Sequence, residues 1–301
     1  MQNSILVTGG TGLIGTYLKL FLPSAQYVSS KDYNLLIEED VKRMFNDINP
    51  KIVIHLAALV GGVHHNIQEP VRYFEENILM NTLMLRESYR NNVERFTGIL
   101  SSCIYPDKIL NYPITEKNLF EGAPHKDLFS YSYAKRCLAL QIDMYNKKFG
   151  LKYNYLIPCN LYGEFDKFDS IEGHFVGALI QKIIDAKKNG TKKITLFGDG
   201  TPFRQFMHAK DLAKIIKEMI FTDKFYNMNI ATEENYTINQ IANMALDVLG
   251  LNDFKIIYDK TKPNGQFRKD IDISIMKKCF PFFEPMKLRE GIKEIFNKRY
   301  D

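Results

Sequence analysis

The chain has 301 residues, of which 45% are hydrophobic and 25% charged, and this ordinary globular composition predicts one large core and a smaller second one. The net charge of +5 is small and basic residues are mixed with acids, which gives nucleic-acid binding little support but suits a small polyanion such as a nucleotide diphosphate. Residues 1–7 lack the features of a secretion signal, and no stretch approaches the roughly 20 apolar residues that cross a bilayer. We therefore expect a cytoplasmic protein with no membrane partner.

The first half of the chain alternates predicted strands with predicted helices. "SILVTGG" reads as a buried strand and "TGLIGTYLKLFL" as a helix, followed by the strand "QYVSS", the helix "EEDVKRMFNDI" and the strand "KIVIHLAA". A helix over about 70–92, a strand ending at Ser101, a helix over about 131–149 and the strand "KYNYLIP" continue the alternation. This order predicts right-handed βαβ units and an α/β fold with a Rossmann-type, doubly wound parallel sheet.

After Pro158 the pattern loosens. A helix from about His174, the strand "KITLFG", an amphipathic helix that starts at Thr237 and the strand "FKIIYDK" follow, without an internal repeat or a low-complexity linker. We therefore expect a smaller C-terminal lobe that is interleaved with the first. The predicted larger domain takes residues 1–160 and about 206–232, and the smaller lobe takes about 161–205 and 233–301.

A glycine pattern connects the first predicted strand to the first predicted helix. Gly9, Gly12 and Gly15 form GxxGxxG, and glycines at this position let the backbone turn tightly and approach a pyrophosphate at the positive end of the helix dipole. The alternative is a tight turn with no ligand. Its place in the first βαβ unit favours dinucleotide binding.

The end of the second predicted strand bears on the cofactor type. An acid there usually binds a free ribose 2′-hydroxyl, whereas a 2′-phosphate favours cations and hydroxyls. The sequence reads "VSSK" with no acid before Asp32, so Ser30 and Lys31 predict NADP. The alternative is a solvated turn.

Ser101 and Cys103 follow the fourth predicted strand. On a strand, residues two apart point to the same face, so both side chains would project from the carboxyl end, where open α/β sheets bind ligands. The alternative for Cys103 is a small buried hydrophobic residue. The four cysteines of the chain form no CxxC pair, which predicts reduced thiols and no metal site.

Tyr131 and Lys135 are four residues apart on a predicted helix and therefore share a face. A cation at that distance would lower the pKa of the phenol and let it exchange a proton with a carbonyl. The alternative is an exposed helix face, since tyrosines are frequent in this chain. Ser101, about thirty residues upstream, favours a catalytic group.

Ser101, Tyr131 and Lys135, after "GGTGLIG", resemble the short-chain dehydrogenase/reductases of the extended branch that acts on nucleotide sugars. The resemblance covers essentially the whole chain. Within that branch the sequence resembles the GDP-L-fucose synthase family, through the ordered segments "AALVGG", "SSCIYP", "PCNLYG", "GHFVGAL", "GTPFRQF" and "TKPNGQFRK". This resemblance implies an epimerase/reductase that acts on a GDP-linked 4-keto sugar.

The resemblance also implies roles for individual residues. Ser101 and Tyr131 would hold the C4 oxygen, Cys103 and His174 would act as base and acid in epimerisation, and Lys135 completes the predicted catalytic set. The predicted cofactor residues are Gly9, Gly12, Leu13, Ile14, Gly15, Ser30, Lys31, Leu56, Ala57, Ala58, Tyr131, Lys135, Pro158, Asn160 and Leu161. The predicted substrate residues are Ser102, Asn160, His174, Arg204, Lys262 and Arg268.

Some of these residues have simpler interpretations. His174 opens a predicted helix and could be a helix-end residue, and the basic residues Lys262, Arg268 and Lys269 could form a solvated loop. By contrast, the planar fork of Arg204 suits a diphosphate.

We expect NADPH-dependent reduction of the C4 ketone of a GDP-linked 6-deoxyhexose or heptose, with or without prior epimerisation at C3 and C5. A C4 reductase that acts after a separate epimerase, an NAD-dependent 4-epimerase or dehydratase, and a non-catalytic nucleotide sensor are the alternatives. The resemblance further implies a homodimer formed through the helices near residues 74–90 and 131–149.

Overall fold

A computed structural model of the protein describes residues 4–169, 173–223 and 225–300. Within these ranges, none of the helices is both long and apolar enough to cross a membrane.

The larger part of the molecule is built on a six-stranded parallel sheet. In spatial order its strands are β2 (Gln26–Val28), β1 (Ile5–Thr8), β3 (Ile52–His55), β4 (Arg95–Ile99), β5 (Lys152–Pro158) and β9 (Met228–Ile230). Every neighbouring pair is parallel. The order reverses direction between β1 and β3, as in a doubly wound fold, so the predicted α/β fold class is confirmed.

The helices of this part connect its strands. They are α1 (Leu13–Phe21), α2 (Glu38–Ile48), α3 (Val63–Gln68), α4 (Pro70–Arg90), α5 (Phe129–Phe149) and α7 (Ala209–Ile220). The strands β1 and β3 are buried along their whole length, because helices cover both faces of a parallel sheet. This arrangement forms the larger hydrophobic core.

The smaller part contains two short sheets. One holds β10 (Asn235–Thr237), β8 (Phe203–His208) and β6 (Asn160–Tyr162), and the other pairs β11 (Lys255–Asp259) with β7 (Lys193–Phe197). The helices α6 (Phe175–Lys188), α8 (Ile238–Val248), α9 (Ser274–Cys279) and α10 (Leu288–Tyr300) complete the chain. As predicted, Thr237 starts α8, where it forms a capping box with Gln240.

A second hydrophobic core lies between α6, α8, α10 and the short sheets. Near its end the chain also returns to the larger core, where Ile271 and Met276 are buried. The boundaries of the two predicted lobes stay a prediction.

The strand that carries the predicted serine and cysteine ends earlier than expected. β4 stops at Ile99, and a short 3-10 helix covers Ser102–Ile104. Leu100 still donates its N–H to Leu156 (2.8 Å), but the N–H of Cys103 is satisfied by the Ser101 hydroxyl (3.3 Å) and not by a neighbouring strand. The prediction that strand alternation orients Ser101 and Cys103 is therefore wrong.

Candidate active site

One cavity of about 800 Å³ runs along the carboxyl ends of the parallel strands and continues between the sheet and the smaller part. Its size is within the range of small-molecule sites. The predicted site residues that line it are Gly9, Gly12, Leu13, Ile14, Gly15, Ser30, Leu56, Ala57, Ala58, Ser101, Cys103, Tyr131, Lys135, Pro158, Asn160, Leu161, His174 and Arg204. Residues from eight separate segments of the chain thus meet in one place.

The glycine turn has the shape that a bound diphosphate requires. Gly9 has a φ of 69°, a region that favours glycine, and its carbonyl accepts the N–H of Gly12 at 3.0 Å. A Cβ at Gly15 would lie 2.6 Å from the Gly9 carbonyl oxygen, so a larger residue would push the turn away from α1. No side chain caps α1 at Gly12, which leaves its first N–H groups directed at the cavity.

A buried polar chain supports the loop next to this turn. The ring nitrogens of His55 lie 2.8 Å from the Thr8 hydroxyl and 3.0 Å from the Asn81 side-chain oxygen, and Thr8 also accepts the N–H of Ala57. Burial lowers the pKa of His55 to about 3, and the nearby Lys135 ammonium adds to this effect. The imidazole is thus neutral and joins β1, β3 and α4 behind the cavity. No motif in the sequence predicted this set of hydrogen-bonded side chains.

Tyr131 and Lys135 lie at the start of α5, where both side chains reach the cavity. The Lys135 ammonium donates to the Ile99 carbonyl (2.7 Å) and lies 5.9 Å from the centre of the Tyr131 ring. Burial lowers the pKa of Lys135 to about 8.

The protonation of Tyr131 differs from the prediction. Burial raises the pKa of its phenol, with smaller contributions from Cys103 and Tyr73, so the prediction that Lys135 lowers this pKa is wrong here. The reason is geometric, because the ammonium is directed at the Ile99 carbonyl. A phenol that keeps its proton can still donate it to an oxygen on which negative charge develops.

Cys103 lies beside a buried cation that the sequence did not single out as a site residue. The Lys269 ammonium is 3.3 Å from the Cys103 sulfur, and only 8% of Lys269 is exposed. Burial alone would raise the pKa of the thiol, but Lys269, a hydrogen bond from Ser101 and the Arg204 guanidinium together outweigh burial and lower it. The contact with Lys269 and the lowered pKa make the Cys103 thiol easier to ionise, against the interpretation of a plain hydrophobic residue.

His174 precedes α6 and lines the same cavity. Its Nδ1 lies 2.9 Å from a carboxylate oxygen of Asp166, eight residues earlier. The hydrogen bond to Asp166 is the main reason that the pKa of His174 is raised, since burial acts in the opposite direction. Sequence reasoning missed Asp166, because nothing in an irregular loop indicates which side chain turns back on a later histidine.

Arg204 reaches the cavity from β8. Its guanidinium donates to the carbonyls of Phe203 (2.7 Å) and Asn264 (3.5 Å), and burial lowers its pKa to about 10. Within the described ranges, no carboxylate forms an ion pair with Arg204. Such a half-buried guanidinium suits an anionic ligand.

Four predicted site residues do not line this cavity. Ser102 is 1% exposed and packs inside the short 3-10 turn, while Lys31 and Lys262 are exposed. Arg268 pairs with Asp270 and lies in an adjoining cavity of about 460 Å³. The structure directs Lys269, and not Arg268, into the main cavity.

Three observations concern the similarity of this chain to known proteins. A family model described as "NAD dependent epimerase/dehydratase family" matches residues 5–231. A GDP-L-fucose synthase from Dictyostelium discoideum is 32% identical, over 97% of this chain and 94% of the relative. A GDP-L-colitose synthase from Yersinia pseudotuberculosis is 33% identical, over 96% of each chain.

A solved structure with a similar fold comes from the same group of enzymes. A crystal structure of a GDP-L-fucose synthetase from Naegleria fowleri bound to NADP superposes with a TM-score of 0.88 at 32% identity, covering 98% of this chain and 92% of the other. Within the described ranges of the present chain, no group of three or more His, Cys, Asp or Glu side chains could hold a metal ion.

Proposed function

This chain belongs to the NAD dependent epimerase/dehydratase family, in the branch of the GDP-L-fucose synthases, and we propose that it reduces the C4 ketone of a GDP-linked 4-keto-6-deoxyhexose with NADPH. One observation carries the proposal: a glycine turn, a Tyr131–Lys135 pair and a cluster of Cys103, Lys269 and Arg204 all line one cavity. Relatives named for GDP-L-fucose and GDP-L-colitose support the sugar class.

The glycine turn and its surroundings fit a dinucleotide. The close approach of Gly15 to Gly9 and the uncapped start of α1 would hold the diphosphate, and Ser30 would face the adenosine end. The structure of the Naegleria fowleri relative with NADP supports NADP(H) as the cofactor. When bound, NADPH supplies the hydride that reduces the ketone.

The catalytic groups act on the oxygen of the ketone. The Tyr131 phenol, whose pKa is raised by burial, donates the proton that this oxygen needs as it becomes a hydroxyl. The Ser101 hydroxyl lines the same cavity and would stabilise the negative charge that develops on this oxygen. Lys135 is held at the Ile99 carbonyl, and its ammonium lies 5.9 Å from the centre of the Tyr131 ring in the same cavity.

Epimerisation at C3 and C5 before reduction is a second activity, and the pair of Cys103 and Lys269 favours it. A carbon next to a ketone loses a proton to a base when the enolate oxygen is stabilised, and inversion needs an acid on the opposite face. The Cys103 thiolate would remove the proton, the enolate would form, and His174 would return a proton to the carbon. No oxidant or reductant is needed for this step.

The experiment is an assay with GDP-4-keto-6-deoxymannose. NADPH oxidation followed at 340 nm tests reduction, and deuterium from D₂O at the carbons that flank C4 tests epimerisation. We expect both. NADPH oxidation without deuterium would identify a reductase that acts after a separate epimerase. Interconversion of the two C4 epimers of a GDP-hexose with tightly bound NAD and no net NADPH oxidation would instead identify a 4-epimerase.

Two controls limit the interpretation. A GDP-linked 4-keto-heptose tests whether the pocket takes a longer sugar, and NADH tests the cofactor preference. Binding of nucleotide sugar without turnover of any ketone would support a sensor and would overturn the proposed reaction.

A homodimer is the proposed assembly. α4 and α5 pack against each other and carry exposed apolar side chains, among them Leu79, Leu140 and Met144. Burial of such side chains against a second copy would form a helical interface. Sedimentation of the wild type and of the double variant Leu140→Glu, Met144→Glu tests it, because a dimer that dissociates in the variant is the expected result.

A further inference from the structure

We propose that Asp166 is a positioning residue for His174: its carboxylate fixes the imidazole through Nδ1 and keeps the ring able to donate a proton into the cavity. The inference rests on the proposed function for its catalytic meaning, although the contact itself does not. Neither residue belongs to the glycine turn or to the Tyr131–Lys135 pair.

The geometry of the pair is that of an oriented histidine. Asp166 Oδ1 lies 2.9 Å from His174 Nδ1 and also accepts the backbone N–H of Lys167 at 2.8 Å. Only 4% of the Asp166 side chain is exposed, against 52% of the His174 side chain. The carboxylate is thus the buried partner, and the imidazole presents its other edge to the cavity.

The second oxygen of Asp166 makes the pair unusual. Asp166 Oδ2 is buried and accepts no hydrogen bond from the described residues. A buried carboxylate oxygen without a hydrogen-bond partner is energetically costly in a folded protein. A Cβ at Gly177 on α6 would lie 3.7 Å from this oxygen, an ordinary contact distance, so the oxygen lies against the first turn of α6.

The loop that carries Asp166 is anchored independently of His174. The N–H of Glu164 donates to the Tyr17 hydroxyl on α1 at 3.0 Å, and the Glu164 carboxylate pairs with Lys298 on α10. The Phe165 ring packs against Tyr17, with ring centres 4.8 Å apart. These contacts hold Asp166 in place, so that the carboxylate can orient the imidazole and not the reverse.

The chemical consequence concerns which form of His174 is present. The Nδ1–H group of His174 donates a hydrogen bond to Asp166, which fixes the tautomer of the ring. Nε2 is then the atom available to the substrate. The carboxylate stabilises the imidazolium, and a thiolate at Cys103 acts in the same direction, while the Lys269 ammonium opposes both. An imidazolium gives its Nε2 proton to the carbanion carbon, and the neutral ring then takes a proton from water.

The test compares Asp166→Asn with Asp185→Asn, which removes a carboxylate of α6 that contacts Gln181 and not His174. The first measurement is the titration of the His174 ring by NMR in the protein without substrate, with the signal assigned by its absence in His174→Gln. We expect the ring in Asp166→Asn to lose its proton at a lower pH than in the wild type, and Asp185→Asn to leave the titration unchanged.

The second measurement is deuterium exchange at the carbons that flank C4, as a function of pH and without NADPH. A misplacement of about 1 Å at a reacting group can lower the rate by about 10²-fold. We expect such a loss in Asp166→Asn, with the alkaline limb of the profile displaced to lower pH, and partial recovery in Asp166→Glu. A uniform decrease with no displacement would mean a purely structural role and would overturn the inference.

The two measurements separate the inference from the proposed function. If the wild type exchanges no deuterium with any 4-keto sugar, the proposed epimerisation fails, yet the NMR titration still reports on the pair. If the titration of His174 is the same in Asp166→Asn and in the wild type, the inference fails whatever the enzyme does to sugars.

Discussion

The two sides of the cavity are built in different ways. The glycine-loop side consists of residues 9–15, 56–58, Tyr131 and Lys135, which lie in the loops after β1 and β3 and at the starts of α1 and α5. The basic side consists of side chains from four separate segments, Cys103, His174, Arg204 and Lys269, and Asp166 contacts His174 from outside the cavity lining. Close backbone packing forms the first side, whereas contacts between residues distant in the sequence form the second.

This difference determines how each side responds to change. On the glycine-loop side a single Cβ at Gly15 would meet backbone atoms at 2.6 Å, so the geometry is retained or lost as a whole. On the basic side, the pKa of each reactive group depends on several neighbours, chiefly on Lys269 for Cys103 and on Asp166 for His174. Conservative substitutions there should tune the chemistry without unfolding the protein.

Removal of the Tyr131 hydroxyl should produce the largest effect. In Tyr131→Phe the proton donor is lost while Lys135 keeps its bond to the Ile99 carbonyl, so reduction should fall by about 10²- to 10⁴-fold with nearly unchanged NADPH binding. Steady-state kcat and calorimetric cofactor titration measure the two quantities. Tyr133→Phe, on the same helix but outside the cavity, is the matched control. Turnover at the wild-type rate in Tyr131→Phe would refute its assignment as the acid.

The basic side should respond selectively when its base is removed. Cys103→Ser replaces a thiolate by a much weaker base, so deuterium exchange should decrease by about 10²-fold or more, while Ser101, Tyr131 and Lys135 still reduce the ketone. Mass spectrometry of the product measures exchange and NADPH oxidation measures reduction. Cys137→Ser, a half-buried cysteine on α5, is the control. Equal loss of both activities would place Cys103 in the reduction step.

The contrast also describes what the sequence could predict. The GxxGxxG turn, the alternation of strands and helices and the four-residue spacing of Tyr131 and Lys135 are local patterns, and the structure has the predicted sheet, turn and shared cavity. Local rules failed where regular structure ended. Ser101 and Cys103 reach the cavity through a 3-10 turn and not through strand alternation.

The residues that were missed or misjudged have the same explanation. Arg268 and Lys269 lie in a segment without a helix or a long strand, so no period indicates which of the two enters the cavity. Lys269 is 166 residues from the sulfur that it contacts. Asp166 turns back on His174 from an irregular loop. Pairings of this kind depend on the tertiary structure, which a single sequence does not display.

Lys269→Met should change the reactivity of Cys103 by a moderate amount. Without the ammonium, burial dominates and the pKa of the thiol rises, so less thiolate is present at pH 7. Alkylation of Cys103 by iodoacetamide, followed by mass spectrometry of its peptide, should therefore be slower than in the wild type. Lys262→Met removes an exposed cation from the same segment and should alkylate at the wild-type rate. An unchanged rate in Lys269→Met would show that this contact does not activate the thiol.

The smallest effect is expected at the adenosine end of the glycine-loop side, where the sequence pattern is also weakest. Lys31 is exposed and does not line the cavity, although Ser29 and Ser30 do, and Thr11 adds no charge to the glycine turn. Asp32 does not face a ribose there, because one of its oxygens accepts both the N–H and the hydroxyl of Ser29, at 2.7 and 2.8 Å. NADPH should therefore be preferred over NADH.

The contribution of Lys31 to that preference should be modest, since exposed charge pairs contribute about 1 kcal/mol or less. In Lys31→Ala the ratio of kcat/KM for NADPH to that for NADH should fall about two- to fivefold, with the NADH value unchanged, because only the 2′-phosphate loses a partner. Lys42→Ala, an exposed lysine on α2 that pairs with Glu38, is the control and should keep the wild-type ratio. Equal kcat/KM for both cofactors in the unmutated enzyme would refute the NADP assignment. An unchanged ratio in Lys31→Ala would instead assign the discrimination between NADPH and NADH to Ser30 and the backbone of this turn. The adenosine end would then resemble the rest of the glycine-loop side, where shape matters more than charge.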